Sequence, residues 1–311
     1  MNKKTREVIS SENLSDILVE KIFPDVKEKI FKGIDEIKPN LITVEVTKEG
    51  EKVKETTGIM HREFKNILTL VSNNIPVMLT GGAGSGKSST CEKVAEALGL
   101  DFYFSNAITQ EYKLTGFIDA HGKYQETQFY KAFKDGGLFV LDEIDASLPE
   151  ALVVINTAIA NGYFDFPCGK TKAHENFRIV ACANTYGLGG NDIYVGRYQL
   201  DGASLDRFAT IYFDYDYELE KGLVKNTDWA EFIQELRETI KAKQIKHIVS
   251  MRATIYGDKL IEAEVPTETI FSEIVFKNLG VDDIKTIGLL NNHGNNRYIE
   301  KYNDLSFFRP Y

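Results

Sequence analysis

Apolar and polar residues follow two periods along this chain, and the places where one period gives way to the other mark its elements. Between Ser11 and Ile37 the apolar positions Leu14, Ile17, Leu18 and Ile22, then Val26, Ile30, Phe31 and Ile34, recur at helical steps. That spacing predicts two short amphipathic helices broken at Pro24. From Leu41 to Thr56 the pattern becomes an alternation around Glu49 and Gly50, which predicts a strand pair. Residues 61–73 return to the helical step, with Phe64, Ile67, Leu68 and Val71 on one face and His61 read as a cap or surface residue.

Short unbroken apolar runs then take over. Pro76 to Leu79, Asp101 to Phe104, Gly137 to Leu141, Arg178 to Asn184 and Phe208 to Phe213 each read as a strand buried on both faces, separated by helical patterns at Ser88–Leu98 and Pro149–Asn161. Strands alternating with helices in this way predict a parallel sheet of five strands with helices on both faces. Two stretches interrupt the alternation: a turn-bearing excursion around Gly116–Tyr124, and a hairpin at Tyr163–Lys172 with Pro167 and Gly169 at its centre. Past Asp214 only helical patterns remain, at Trp229–Lys243, Arg252–Ile261, Glu268–Asn278 and Asp282–Leu290, and Asn291–Asn296 reads as a loop before an aromatic tail. The expected organisation is an α+β accessory region over 1–60, an α/β domain over 61–218, and an all-helical region with a tail over 219–311.

The junction between the first buried strand and its helix carries the most specific chemistry. Gly81, Gly86, Lys87 and Ser88 fill the fixed places of the pattern G-x-x-x-x-G-K-[ST], with a strand in front and a helix behind. Glycines let successive backbone N–H groups turn inward on phosphate oxygens, and the helix adds its positive end. Gly82, Ala83, Gly84, Ser85, Gly86, Lys87, Ser88 and Ser89 are therefore the candidate cradle. Lys87 is placed to reach the β- and γ-phosphates, and the Ser88 hydroxyl to ligate Mg²⁺, a hard ion that prefers oxygen. In open parallel sheets ligands bind where the strands end. Asp142 and Glu143 end the third strand: Asp142 is the candidate second metal ligand, and Glu143 the group that orients and deprotonates an attacking water. Asn184 ends the fourth, as a partner for the γ-phosphate or that water, or as a strand-capping amide.

Composition narrows the partners. The chain has 311 residues and a formal net charge of -9, which argues against a broad basic face for duplex DNA. Cys91, Cys168 and Cys182 are too few and too scattered for a disulfide framework or a paired zinc site. A polar start and the absence of any apolar run of about 18 residues lead to the expectation of a cytoplasmic protein with no membrane span.

Taken together, GGAGSGKSS, LFVLDEID, RIVACANT, SLDRF and SMRA stand in the order of the ring-forming AAA+ ATPases. The chain resembles most the MoxR-like branch with a helix-2 insert, and within it the ATPase subunits of cobaltochelatase type, across residues 184–189 and 199–208. The resemblance covers about residues 60–265. It implies Walker A roles for Lys87 and Ser88, Walker B roles for Asp142 and Glu143, and sensor 1 for Asn184. Arg207 matches the arginine finger supplied to a neighbouring subunit, with Arg197 as its rival, and Arg252 matches sensor 2 on the lid. It further implies ATP and Mg²⁺ as cofactors and a homo-oligomeric ring, expected to be a hexamer. The implied work is remodelling of a protein client, such as a chelatase-type or von Willebrand-like partner. Phe117, Tyr124, Phe164 and Lys170 are candidate client contacts on two pore-facing elements. The alternatives are a motor on single-stranded nucleic acid, with Lys170, Lys172, Tyr163 and Phe164 as its contacts, a GTP-using ring, or a nucleotide-gated scaffold. Gly82 departs from the family, which commonly has proline there.

Overall fold

The computed structural model describes residues 41–48, 51–291 and 295–304. The helices expected between Ser11 and Ile37, the turn at Glu49 and Gly50, most of the Asn291–Asn296 loop's centre and the end of the tail lie outside the described residues.

The alternating stretch after residue 40 forms an antiparallel pair, β1 (Leu41–Lys48) and β2 (Glu51–Ile59), with Leu41 opposite Ile59. Then come α1 (Phe64–Ser72), β3 (Val77–Thr80), α2 (Lys87–Leu98), β4 (Phe102–Ser105) and the short α3 (Tyr112–Thr115). The excursion that follows is a small antiparallel pair, β5 (Phe117–Ile118) and β6 (Tyr124–Gln125). Next are α4 (Gln128–Asp135), β7 (Gly137–Leu141), α5 (Pro149–Asn161), and the hairpin β8 (Tyr163–Phe166) and β9 (Gly169–Lys172). β10 (Phe177–Ala183), the one-turn α6 (Gly202–Leu205) and β11 (Ala209–Tyr212) complete the α/β part.

Five of these strands make one parallel sheet in the order β11-β3-β10-β7-β4. The apolar runs explain why it is parallel and central: side chains alternate faces along each strand, and for the inner strands β3, β10 and β7 both faces are dry. Met78, Phe139, Leu141, Ile179 and Ala181 point to one side, where Phe129 and Phe133 of α4 and Leu152 and Ile155 of α5 cover them. Val77, Leu79, Leu138, Val140, Val180 and Cys182 point to the other, under Phe64, Ile67 and Val71 of α1 and Val94 of α2. Burying one such Phe or Ile side chain fully is worth about 1.5–3 kcal/mol, so the two layers together fix the register of every strand.

Helices form the rest: α7 (Tyr217–Gly222), α8 (Thr227–Ala242), α9 (Met251–Glu262), α10 (Thr267–Ile270), a π turn at Phe271–Val275, α11 (Val281–Ile287) and α12 (Arg297–Asn303). Their core is aromatic, with Trp229, Phe232, Phe271 and Tyr302 fully buried. Gly257 is required there, because a Cβ at that position would lie 2.3 Å from the Trp229 ring. A buried ion pair stands beside this core: Arg237 donates to both carboxylate oxygens of Glu220, at 2.8 and 2.9 Å, and Thr254 also donates to Glu220.

The chain divides into two compact units. Of the described residues, one holds those up to Gly81, Lys87–Gly190 and Gly196–Phe213, and the other holds Gly82–Gly86, Asn191–Val195 and those from Asp214 on. His61 is buried rather than on the surface, its ring stacked on Phe213 with centroids 3.7 Å apart, and it acts as the expected cap, its Nδ1 accepting from the Glu63 N–H at 3.1 Å just before α1. The expected helix Glu268–Asn278 is instead a single α-turn running into the π turn, and α7 and α12 went unforeseen. Among the described residues no helix is long and apolar enough to cross a membrane.

Candidate nucleotide site

In the sheet unit, β3 ends at Thr80, and Gly81 follows it so close to β11 that a Cβ would lie 1.9 Å from the Phe213 carbonyl oxygen. Only glycine fits there. Lys87 begins α2 and is buried, its ammonium donating to the Gly81 carbonyl at 2.8 Å and to Asn184 Oδ1 at 3.1 Å. Ser88 Oγ donates to Asp142 Oδ2 at 2.7 Å. The ends of β3, β7 and β10 thus meet, as parallel pairing of the three strands requires. Lys87 and Asn184 face each other on one side of this meeting point, and Ser88 and Asp142 on another.

Glu143 follows Asp142 in the left-handed region, at φ 54 and ψ 43. A residue with a Cβ is strained there by roughly 1–2 kcal/mol, and the strain turns the Glu143 side chain away from the line of β7. Its carboxylate meets Arg197, whose Nη2 lies 3.2 Å from Glu143 Oε1 while Nη1 lies 3.2 Å from Asp145 Oδ1. Asp145, which the sequence reading passed over, is fully buried. Its Oδ2 accepts from the Asn184 N–H at 3.1 Å, the Thr185 N–H at 2.9 Å and the Thr185 hydroxyl at 2.8 Å. One carboxylate therefore ties the end of β10 to the turn after β7.

The second unit holds the middle of the phosphate loop. Gly84 and Gly86 have φ of 70 and 94, which glycine adopts without cost. A Cβ on Gly84 would also lie 2.8 Å from Ser250 Oγ, the N-cap of α9, next to exposed Arg252. The Ala83 peptide is held at both ends: its N–H donates to the Tyr194 hydroxyl at 3.0 Å, and its carbonyl accepts from the Tyr215 hydroxyl at 2.9 Å. Burial pushes the Tyr215 phenol well above its ordinary range, despite the guanidinium of Arg237 stacked 4.1 Å from its ring. The same phenol accounts for Gly82. A Cβ there would lie 3.0–3.3 Å from the Tyr215 ring and hydroxyl, so Tyr215 occupies the room that a proline would need.

In the second unit Ser85 Oγ is buried and has no hydrogen-bond partner. The donor set of the sheet unit, taken by itself, suits phosphate oxygens with a hard cation. Lys87 supplies a buried positive charge, and Ser88 with Asp142 forms a hydroxyl and carboxylate pair. Among the described residues no group of three or more His, Cys, Asp or Glu could hold a metal ion. A cation here would have those two oxygens and draw its other ligands from phosphate and water, as Mg²⁺ commonly does.

The remaining sequence candidates lie apart from this set. Ser89 is exposed on the first turn of α2, and Arg207 donates to the Ala203 carbonyl of α6. Of the proposed client contacts, Phe117 is 47% exposed and meets Tyr112 edge-on, but Tyr124 donates to the Thr115 carbonyl and packs against Tyr130. Phe164 packs on Phe166, and Lys170 lies 3.9 Å over the ring of exposed Tyr163.

Residues 76–195 match the family model described as the AAA domain, dynein-related subfamily. Uncharacterized proteins of Staphylococcus aureus, among them those of strains USA300 and NCTC 8325, are 27% identical over 211 residues, covering 62% of this chain and 76% of theirs. Among solved structures, NtrX from Brucella abortus is 16% identical with a TM-score of 0.48, over 73% of this chain and 54% of its own. The Thermotoga maritima RuvB Holliday junction branch migration motor is 17% identical with a TM-score of 0.42, over 76% of this chain and 72% of its own. The chain thus spans about half the length of the NtrX structure it matches. The stretch from Pro76 to Val195, which holds the glycine-rich loop, both carboxylates after β7 and the polar end of β10, is thus similar to an AAA domain of the dynein-related subfamily.

Proposed function

We propose that this protein is a ring-forming ATPase of the AAA+ type that couples hydrolysis of ATP to remodelling of a protein partner. The observation that carries the reading is the convergence of Lys87 with Asn184 and of Ser88 with Asp142 at neighbouring strand ends, with Glu143 next in sequence. In this reading the N–H groups of the loop other than that of Ala83, which donates to Tyr194, hold the phosphates, and Lys87 offsets the charge that builds on the β- and γ-oxygens. Ser88 and Asp142 would hold Mg²⁺, which when bound neutralises phosphate oxygens and fixes their direction. Glu143 orients a water for attack on the γ-phosphorus and takes up its proton, and ADP and phosphate leave. Asn184, already held by Lys87, positions the γ-phosphate or the water. Arg207 of a neighbouring copy supplies positive charge to the transition state, and Arg252, at the start of α9, responds to the nucleotide.

ATP is preferred over GTP on the family resemblance alone, since a phosphate loop does not read the base. A protein client is preferred over single-stranded nucleic acid because the hairpin aromatics are engaged: Lys170 covers a face of Tyr163, and Phe164 packs inward. The test is phosphate release alongside nucleotide binding. Lys87→Ala is expected to lose both. Glu143→Gln is expected to bind ATP as the unaltered protein does, with turnover at least about 100-fold lower, the loss typical of a removed general base. Full turnover by Glu143→Gln would overturn the assignment.

A further inference from the structure

The sequence offers Arg197 as a charge for the neighbouring subunit's nucleotide, but its surroundings give it different work. Its loop is closed by an antiparallel bridge between Leu188 and Gln199. The Arg197 carbonyl accepts from the Gly190 N–H at 3.0 Å, and the next N–H, of Tyr198, donates to the Asp145 carbonyl at 2.7 Å. The backbone on both sides of Arg197 is thus fastened, and the guanidinium forks between Asp145 and Glu143, 3.2 Å from each.

The two carboxylates differ in freedom. The Asp145 side chain is 0% exposed and takes three further hydrogen bonds from Asn184 and Thr185, so it cannot follow the arginine. The Glu143 side chain is 46% exposed, and its described side-chain partner is Arg197, itself 12% exposed. Arg197 and Asp145 are the fixed post, and Glu143 is the part that moves. While its Oε1 accepts from the guanidinium, that oxygen is turned toward Arg197 and is not free to take a proton from a water at the Lys87 side of the site.

We propose that Arg197 is a positioning residue that acts within its own subunit as a brake, tethering Glu143 away from its working geometry. Hydrolysis requires Glu143 to leave the fork. The inference rests on Glu143 being the water-orienting carboxylate. An ion pair with a half-exposed partner is weak, so the tether is one that substrate or assembly can release, and its removal is worth a modest acceleration.

The test is steady-state ATP turnover by Arg197→Gln, whose amide keeps a donor for Asp145 but drops the charge on Glu143. The expected result is a kcat about two- to five-fold higher with KM for ATP unchanged, the range a surface-type ion pair allows. Arg197→Gln combined with Glu143→Gln is expected to be as inactive as Glu143→Gln alone, because the gain runs through that carboxylate. If Arg197→Gln melts below the assay temperature, turnover of both proteins is read at a temperature below its midpoint, and kcat is again expected to rise. A fall in kcat, or a kcat unchanged, in a folded variant overturns the proposal. A fall that is rescued on mixing with Glu143→Gln subunits assigns Arg197 to the neighbour's site instead. If Glu143→Gln itself keeps full turnover, the underlying reading fails, and this outcome is distinct from failure of the brake.

Discussion

Replacing Asp145 by Asn changes one oxygen to an amide nitrogen and keeps the volume, so it isolates the carboxylate's charge and acceptor capacity. Oδ2 accepts from two N–H groups and a hydroxyl at the end of β10, and Oδ1 from Arg197. If the amide oxygen takes the place of Oδ2, the new NH₂ points at a guanidinium, donor against donor, and the buried pair is gone. If it takes the place of Oδ1, three donors face an NH₂. Hydrogen bonds to a charged group are worth about 1.5–3 kcal/mol each, and breaking a buried pair costs about 3–5 kcal/mol. Because one set of bonds survives in neutral form, the expected loss is about 3 kcal/mol, near the low end of that range. Urea unfolding measures it, and with a slope near 3 kcal/mol per molar the midpoint moves down by about 1 M. The single tryptophan, Trp229, lies in the helical unit and serves as the internal control. Far-ultraviolet dichroism of the sheet unit should shift, while Trp229 fluorescence should not. A shift worth under about 1 kcal/mol would refute the claim that Asp145 holds β10 to the turn after β7, since a single neutral hydrogen bond already accounts for that much.

Two further outcomes follow from the helical unit. Burial, and behind it the charge of Lys277, lowers the pKa of His247, although its ring nitrogen bonds the Val275 carbonyl at 2.7 Å. A lowered value means the unfolded chain takes up the proton first, so stability is held above about pH 6.5 and lost as pH falls through the folded value. Trp229 fluorescence melts at pH 7.5 and 5.5 should show this loss, and His247→Gln should reduce it. Gly257→Ala drives a methyl group into the Trp229 ring and should destabilise the unit by about 1–3 kcal/mol or more; an unchanged Trp229 transition in a urea titration would contradict the packing described.

What the sequence disclosed and what it hid follow from the range of the forces involved. β3, β7 and β10 were legible because a strand covered on both faces must be apolar over most of its length, as Val77–Thr80, Gly137–Leu141 and Phe177–Ala183 are apart from Thr80 and Arg178. The glycine-rich turn after β3 was legible because its glycines answer to local backbone geometry. Asp145 was not, although it stands in the same LDEID run as Asp142 and Glu143, because three of its partners are donors of residues 184 and 185, on another strand. Tyr194 and Tyr215 reach Ala83 from over a hundred residues away, and no local pattern announces such a bond. Gly82, a departure from the family's proline, would place a Cβ within 3.0–3.3 Å of Tyr215, a closeness no local pattern discloses. The burial of His61, though not its capping of α1, was hidden for the same reason, its partner Phe213 being distant in sequence. α7 and α12 are only six and seven residues long, too short for a helical period to stand out.

The claim at the centre of this account is that the hydrolytic site joins Glu143 of one copy to Arg207 of the next, and mixing two inactive variants tests it most directly. Arg207→Ala and Glu143→Gln, each expected to bind ATP and release almost no phosphate alone, should recover measurable phosphate release when combined. Interfaces that pair an intact Glu143 with an intact Arg207 then reappear. No recovery at any mixing ratio, with both variants folded and assembled together, or full activity of Arg207→Ala by itself, would contradict it.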